Sequence, residues 1–106
     1  MEIKSISPEE AAQGFAAIGS EARLQVVLAL VKAGPKGLTV GDIQKRTDMA
    51  ASTLAHHLRS LTAGGLVEQQ KDGRSIVNRA NFAHLETLAG YILKECCVDD
   101  NGGENG

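Results

Sequence analysis

The chain has 106 residues, 42% of them hydrophobic and 23% charged, with a formal net charge of −2. This length fits one globular domain and leaves no room for a second. The sequence has no apolar run long enough to span a membrane, and its acidic N-terminus is unlike a signal peptide, so we expect a cytoplasmic protein with no membrane partner.

Three helices are predicted in the first half of the chain. Ser7 can cap the first, about residues 8–18, and Ser20 can cap the second, which ends near Gly34. The third helix is short, about residues 40–47, and Thr39 with Asp42 forms a capping-box pattern at its start. Helical spacing predicts the apolar stripe of the second helix: Leu24, Val27, Leu28 and Val31.

A tight turn and a fourth helix come next. The turn is the segment TDMAAS, and the helix opens at Ala51 or Ser52 and runs to about Ala63, where Gly64 and Gly65 end it. Its apolar stripe consists of Leu54, Leu58 and Leu61.

A β-hairpin and a last helix complete the predicted domain, residues 1–97. The runs LVEQQK and RSIVNR flank a two-residue loop of Asp72 and Gly73, which is a strong hairpin signal. The last helix runs from Asn81 or Phe82 to Cys97, with one apolar face made of Phe82, Leu85, Leu88, Ala89 and Ile92. Residues 98–106 are acidic and Gly-rich, so we expect a disordered tail.

The order of these elements predicts a mainly α fold with a small β-hairpin, the winged helix-turn-helix (α-α-α-α-β-β-α). In this pattern the second helix of the helix-turn-helix, here the fourth in the chain, enters the major groove of duplex DNA. The hairpin is the wing, and Lys71 and Arg74 beside its tip can reach phosphates. Residues 36–81 carry net +3 between acidic ends of −1 and −4, which fits a DNA-facing segment but equally fits ordinary solvated charge.

Phasing the fourth helix at 100° per residue places its polar side chains opposite the leucines. Ser52, His56 and Arg59 point outward, with Ala55 beside them. Ser52 and Thr53 at the helix start suit phosphate oxygens, and His56 and Arg59 suit base edges. The plainer readings are that Ser52 is the N-cap and that Arg59 is a solvated charge.

The remaining histidines have structural interpretations. His57 lies near the leucine stripe, so we expect it to be partly buried and hydrogen-bonded. The His56-His57 pair is poorly arranged for one metal ion, because adjacent helical residues point 100° apart. His84 stands alone at the start of the last helix and is expected on the surface.

Three stretches together resemble the ArsR family of bacterial winged-helix repressors: SEARLQVVLALVKAG, STLAHHLRSLTAGGLVE and KDGRSIVNRA. The resemblance implies a homodimer formed by the first and last helices. This dimer would repress by occupying a two-fold symmetric operator until a metal, metalloid or oxidant releases it. A thin core with three aromatic residues also favours a second subunit. By the resemblance four side chains pack across the dimer axis, although each also fits a place in the core: Phe15, Leu85, Leu88 and Ile92.

The expected effector site departs from the family. By the resemblance, a metalloid site would need cysteines in the helix before the recognition helix, which has none, and a zinc site would need a second histidine along the last helix, which is missing. Only Cys96 and Cys97 remain as candidate effector ligands. By the resemblance, some relatives have such a pair and complete an arsenite site with a third cysteine in the tail, which this chain lacks. Soft thiolates suit trivalent arsenic or antimony, and a methylated arsenical needs only two sulfurs. No cofactor is required on this interpretation. Thiol oxidation is the alternative, and the pair also fits two surface thiols without a role.

Other function classes fit less well. The sequence has no catalytic triad, phosphate loop or paired carboxylates, so it is not expected to be an enzyme. A winged helix that binds protein or RNA is the stronger rival to the DNA-binding interpretation.

Overall fold

The computed structural model describes residues 5–100. Within this range the helices are α1 (Pro8–Ile18), α2 (Glu21–Ala33), α3 (Val40–Thr47), α4 (Ala51–Ala63) and α5 (Phe82–Leu93), and the strands are β1 (Leu38–Thr39), β2 (Val67–Asp72) and β3 (Ser75–Ala80). This is the predicted winged helix-turn-helix, with β1 added. No single helix in the described range is long and apolar enough to cross a membrane. By length and composition alone, α1 and α2 taken together would be long and apolar enough, but their axes differ by 95° at the break between them.

The strands form an antiparallel sheet in the order β1-β3-β2. The predicted position of the hairpin loop is wrong by one residue, because Asp72 pairs with Ser75 and the loop therefore consists of Gly73 and Arg74. Gly73 has a φ of 64°, and glycine at the first loop position is the requirement of a type II′ turn, whose twist matches that of the strands. Arg74 thus lies in the wing tip itself.

Side chains cap the first three helices as the sequence predicts. Ser7 and Ser20 each accept a hydrogen bond from a backbone N–H of the helix that follows. The capping box at α3 is complete, since the Asp42 N–H donates to Thr39 Oγ1 and the Thr39 N–H donates to the Asp42 carboxylate, both at 3.2 Å. These bonds, led by the one from the Thr39 backbone, lower the pKa of Asp42. They hold α3 against the end of β1.

The apolar stripe predicted for α2 is mostly not the buried side of the helix. Leu24, Leu28 and Val31 are 43%, 48% and 39% exposed, and only Val27 of the four predicted residues is buried. The core contacts of α2 come instead from Val26, Val27, Ala29 and Leu30. Apolar residues lie on both sides of this helix, so helical spacing alone does not select the buried side.

One core joins the helices to the base of the sheet, and α1 lies between α4 and α5. The core includes Leu30, Ile43, Leu54, Leu61 and Leu66, all fully buried. A Cβ at Gly64 would lie 2.5 Å from Ala17 Cβ, and a Cβ at Gly14 would lie 2.7 Å from Leu88 Cδ1. Both distances are shorter than real Cβ contacts. At Gly64 the clash would be with a Cβ, so glycine allows α1 to approach α4 this closely, whereas at Gly14 the Leu88 side chain would have to shift.

The last helix is shorter than predicted, ending at Leu93 instead of Cys97. Consecutive turns follow it, and every side chain from Ile92 to Asp100 is exposed. Among residues 5–100 the side chains after Tyr91 are not covered by other elements, and packing supplies most of the stability of a short helix. Of the predicted tail, residues 98–100 lie in these turns and residues 101–106 lie outside the described range.

Candidate nucleic-acid interface and thiol site

Helix α4 has one apolar side and one polar side, as its phasing predicts. Leu54, Leu58 and Leu61 are buried. The opposite side is exposed and carries five of the candidate DNA-binding residues: Ser52, Thr53, Ala55, His56 and Arg59. Because the leucines anchor the helix to the core, the outward side is held at a fixed orientation.

The N-terminus of α4 has no side-chain cap. Ala50 is the N-cap, so the alternative that Ser52 caps the helix is wrong, and Ser52 is the second residue of the helix. Leu54 is the first residue of the helix to donate its N–H within it, to the Ala50 carbonyl at 2.9 Å. The three preceding N–H groups find no acceptor among the described residues. Free N–H groups at a helix start favour an anion.

The wing presents two of its three basic side chains freely. Lys71 and Arg74 are exposed, and neither has a hydrogen bond or ion pair within residues 5–100. Arg79 differs, because its guanidinium donates to the Pro35 carbonyl at 2.7 Å and to Gln70 Oε1 at 2.6 Å. Arg79 therefore ties the sheet to the short 3₁₀ helix before β1 (Gly34–Lys36), while Lys71 and Arg74 remain available to a ligand.

A cleft of about 440 Å³ separates α4 from β2. Its lining includes Arg59 from α4 and Gln69 from the wing. Sequence reasoning missed Gln69, since strand alternation gives the side of a residue but not what it faces. The full lining is Val40, Ala55, Leu58, Arg59, Thr62, Ala63 and Gln69.

The expectation of a hydrogen-bonded His57 is wrong. The side chain is half-buried as predicted, but its Nδ1 is buried without a hydrogen-bond partner within the described chain. Burial, followed by the nearby charges of Arg23 and His56, lowers the pKa of His57. Arg23 is fixed in place because it donates to the carbonyls of Ala16 and Ala17 at the end of α1.

The surface prediction for His84 is also wrong. Its ring is half-buried against Gly65, where a Cβ would lie 3.2 Å from His84 Cδ2. Gly65 has a φ of 82° and closes α4 in the left-handed conformation that the Gly-Gly pair predicted. Residues 5–100 contain no cluster of three or more His, Cys, Asp or Glu side chains that could hold a metal ion.

The two thiols lie close together in the turns after α5. Cys96 and Cys97 are exposed, and their Sγ atoms are 3.1 Å apart, within hydrogen-bond distance and without a disulfide. Hydrogen bonding to Cys96, and to a smaller extent burial, raises the pKa of Cys97. Cys97 also has a φ of 66°. The backbone thus brings both sulfurs to one point of the surface.

The residues predicted at a dimer interface have unequal exposure. Ile92 is 66% exposed, and the neighbouring Leu93 is similarly exposed. Phe15 and Leu85 are half-buried against the core. Leu88 is only 3% exposed because it packs beneath Gly14 of α1. The structure therefore places Leu88 inside the subunit, while Ile92 projects into solvent from the single chain.

Known proteins resemble both the sequence and the fold. A family model described as a helix-turn-helix domain matches residues 18–70. The structure of an ArsR-like transcriptional regulator from Rhodococcus sp. RHA1 is 32% identical, with a TM-score of 0.72 over 86% of this chain and 82% of that one. The cadmium resistance transcriptional regulatory protein CadC of Listeria innocua is 39% identical over 62 residues, 58% of this chain and half of that protein. A homodimeric winged helix-turn-helix DNA-binding domain from Mycobacterium bovis shares the fold at 24% identity, with a TM-score of 0.65 over 88% of this chain and 92% of that one.

Proposed function

Because this chain belongs to the ArsR family of winged helix-turn-helix transcriptional regulators, which bind DNA and are not enzymes, we propose that it is a homodimeric repressor released from its operator by a thiol-reactive effector. The observation that carries the DNA-binding part is the outward side of α4, which is polar, exposed and backed by three buried leucines.

Each candidate residue has a role that its chemistry supports. Ser52 and Thr53 lie at the uncapped start of α4, where hydroxyl and backbone N–H groups suit phosphate oxygens. His56 and Arg59 reach base edges, since Arg binds guanine in a bidentate manner. Ala55 permits close approach and suits a thymine methyl group. Lys71 and Arg74 on the wing bind phosphates on either side of the groove.

A homodimer doubles this surface. The exposed Ile92 and half-buried Phe15 and Leu85 support an interface made by α1 and α5, and the related Mycobacterium bovis domain is homodimeric. Two copies related by a two-fold axis present two recognition helices to half-sites about one DNA turn, roughly 34 Å, apart. The operator is therefore two-fold symmetric, and the protein acts in the cytoplasm, where the DNA is.

The effector is a trivalent arsenical, with a methylated form favoured. Methylarsenite has two hydroxyl groups on arsenic; each reacts with one thiol, so that two As–S bonds form, two As–O bonds break and two water molecules leave. Cys96 and Cys97, with sulfurs 3.1 Å apart, supply both thiols. Inorganic arsenite requires a third thiol ligand, and the sequence contains only two cysteines. Trivalent antimony has the same preference for soft sulfur.

Thiol oxidation is the second candidate, favoured by the same short distance between the sulfurs. An oxidant such as a peroxide would take two electrons and two protons from the pair, leaving a disulfide and reducing the peroxide to water and alcohol.

The DNA-binding proposal is tested with duplex DNA from upstream of this protein's own gene. Affinity should fall steeply as salt rises, because phosphate contacts release counterions. Arg59→Ala should reduce the discrimination between the correct and a wrong base at its contact by about 1–3 kcal/mol. Lys71→Ala should weaken binding to all sequences alike and lower the slope of log affinity against log salt concentration by about 1. Equal binding of every duplex at all salt concentrations, or a preference for RNA, contradicts the proposal.

The effector proposal is tested by titrating the protein–DNA complex with methylarsenite, arsenite and peroxide. Methylarsenite should release the DNA at the lowest concentration, and Cys96→Ser or Cys97→Ser should prevent release while leaving DNA affinity intact. If peroxide releases the DNA and the arsenicals do not, the effector acts by thiol oxidation and not by arsenic binding. Release that persists unchanged in both serine variants removes the thiols from the mechanism.

A further inference from the structure

The cleft between α4 and β2 is suited to a negatively charged strand. Arg59 is its one charged lining residue, and no carboxylate contributes to its walls. Arg59 has no hydrogen bond or ion pair among residues 5–100, so its charge is not neutralised within the described chain. The small side chains of Ala55, Thr62 and Ala63 leave room on the helix side of the cleft. The free charge of Arg59 therefore favours an anion in this cleft.

A buried amide behind the cleft fixes the orientation of Gln69. Asn78 on β3 is fully buried, and its Nδ2 donates to the Leu38 carbonyl of β1 at 3.2 Å. Because a carbonyl only accepts, this bond determines which end of the Asn78 amide is nitrogen. Asn78 Oδ1 therefore faces β2, where it accepts a hydrogen bond from Gln69 Nε2 at 2.7 Å.

This chain of bonds leaves part of the Gln69 amide unused. One of the two Nε2 hydrogens is bound to Asn78, and neither the second hydrogen nor Oε1 has a partner among the described residues. Gln69 is thus held by an anchor in the sheet, in the lining of the same cleft as Arg59, and one of its N–H donors is free among the described residues.

We propose that one strand of duplex DNA passes through this cleft, and that Gln69 donates its free N–H to the sugar–phosphate backbone of that strand while Arg59 contacts the same strand from α4. Asn78 is a positioning residue that acts through Gln69. The proposal rests on the DNA-binding function proposed above and adds a contact from the base of the wing, away from its tip.

Gln69 and Gln70 form a matched pair for the test. They are adjacent on β2 and point to opposite sides of the strand, so that Gln70 faces Arg79 instead of Asn78. Gln69→Ala should weaken operator binding by roughly 2- to 10-fold, the effect of one neutral hydrogen bond. Its salt slope should stay that of the wild type, because a neutral side chain releases no counterion. Gln70→Ala should bind as the wild type does.

The role of Asn78 is tested by a double-mutant cycle. Asn78→Leu keeps a similar volume but removes the anchor of Gln69, so it should weaken binding, and adding Gln69→Ala to it should cause no further loss. Additive losses would show that Asn78 does not act through Gln69. If Asn78→Leu does not fold, as judged by circular dichroism, the Gln69 and Gln70 variants still decide the contact.

The outcomes separate this inference from the function on which it rests. If the wild type does not bind duplex DNA, both the proposed DNA-binding function and the Gln69 contact are wrong. Binding by the wild type that is weakened by Arg59→Ala, but is equal for Gln69→Ala and Gln70→Ala, overturns the Gln69 contact alone.

Discussion

Helices α2 and α4 have the same length, 13 residues, but use their side chains differently. Helix α4 buries its leucines on one side and exposes polar residues on the other. Helix α2 buries Val26, Val27 and Leu30, and it also exposes Leu24, Leu28 and Val31. An apolar stripe at helical spacing therefore identifies the buried side only when the opposite side is polar.

The N-termini of these helices also differ. The Ser20 side chain caps α2 by accepting the Arg23 N–H at 3.1 Å, whereas Ala50 offers α4 no such bond. A side-chain cap contributes about 1 kcal/mol to helix stability. Helix α4 lacks this contribution at the end that we propose faces DNA. Helix α2, for whose start we propose no DNA contact, has it.

The largest expected difference between the two helices is in packing. Leu54→Ala in α4 should lower the free energy of unfolding by about 2–5 kcal/mol, because it leaves a cavity in the core. Leu28→Ala in α2 should lower it by about 1 kcal/mol or less, since the side chain is half exposed. Denaturant unfolding of both variants measures the contrast. Equal losses would show that a second subunit covers Leu28.

The caps should give a smaller effect with opposite signs. Ser20→Ala should lower the free energy of unfolding by about 1 kcal/mol, and Ala50→Ser should raise it by a similar amount. Ala50→Ser should also weaken DNA binding, because the new hydroxyl takes an N–H that we propose binds phosphate. Thermal unfolding and operator titration of the two variants test this, and an Ala50→Ser protein that is more stable with unchanged affinity would argue against phosphate binding at this helix end.

The smallest effect concerns pH at the contact between the two helices. Burial and Arg23 lower the pKa of His57 in the folded protein below its ordinary 6.5. As the pH falls below 6.5, the unfolded chain takes up the proton first, so the free energy of unfolding decreases until the folded form is protonated too. Unfolding curves from neutral to mildly acidic pH should show this decrease in the wild type and less of it in His57→Gln. The exposed neighbour provides the control: His56→Gln should largely retain the wild-type dependence.

Structure that depends on residues close together in the sequence could be predicted, while structure that depends on distant residues could not. The caps made by Ser7, Ser20 and Thr39 depend on residues three apart, and the sequence predicted them correctly. The hairpin turn was also predicted, but one residue too early. The side chains of α4 were placed correctly because the helix is polar on one side. Strand β1 was missed because two residues form a strand only by pairing with Val77 and Asn78, about forty positions later.

Parts of the candidate site also depend on distant residues. Gln69 gains its orientation from Asn78, and Asn78 gains its own from Leu38, a relation that neither periodicity nor motif spacing contains. The length of α5 depends on tertiary packing, and the side chains from Ile92 to Asp100 are exposed in the described part of the chain. The unpaired Nδ1 of His57 likewise follows from its surroundings in the fold, since phasing gave its depth but not its neighbours.

The close approach of α1 and α4 has a consequence for how related sequences diverge. The space between positions 17 and 64 accommodates one methyl group and not two, because a Cβ at Gly64 would lie 2.5 Å from that of Ala17. Homologues that keep the same separation of these helices are expected to carry glycine at one position or the other, so that the pair varies together during evolution.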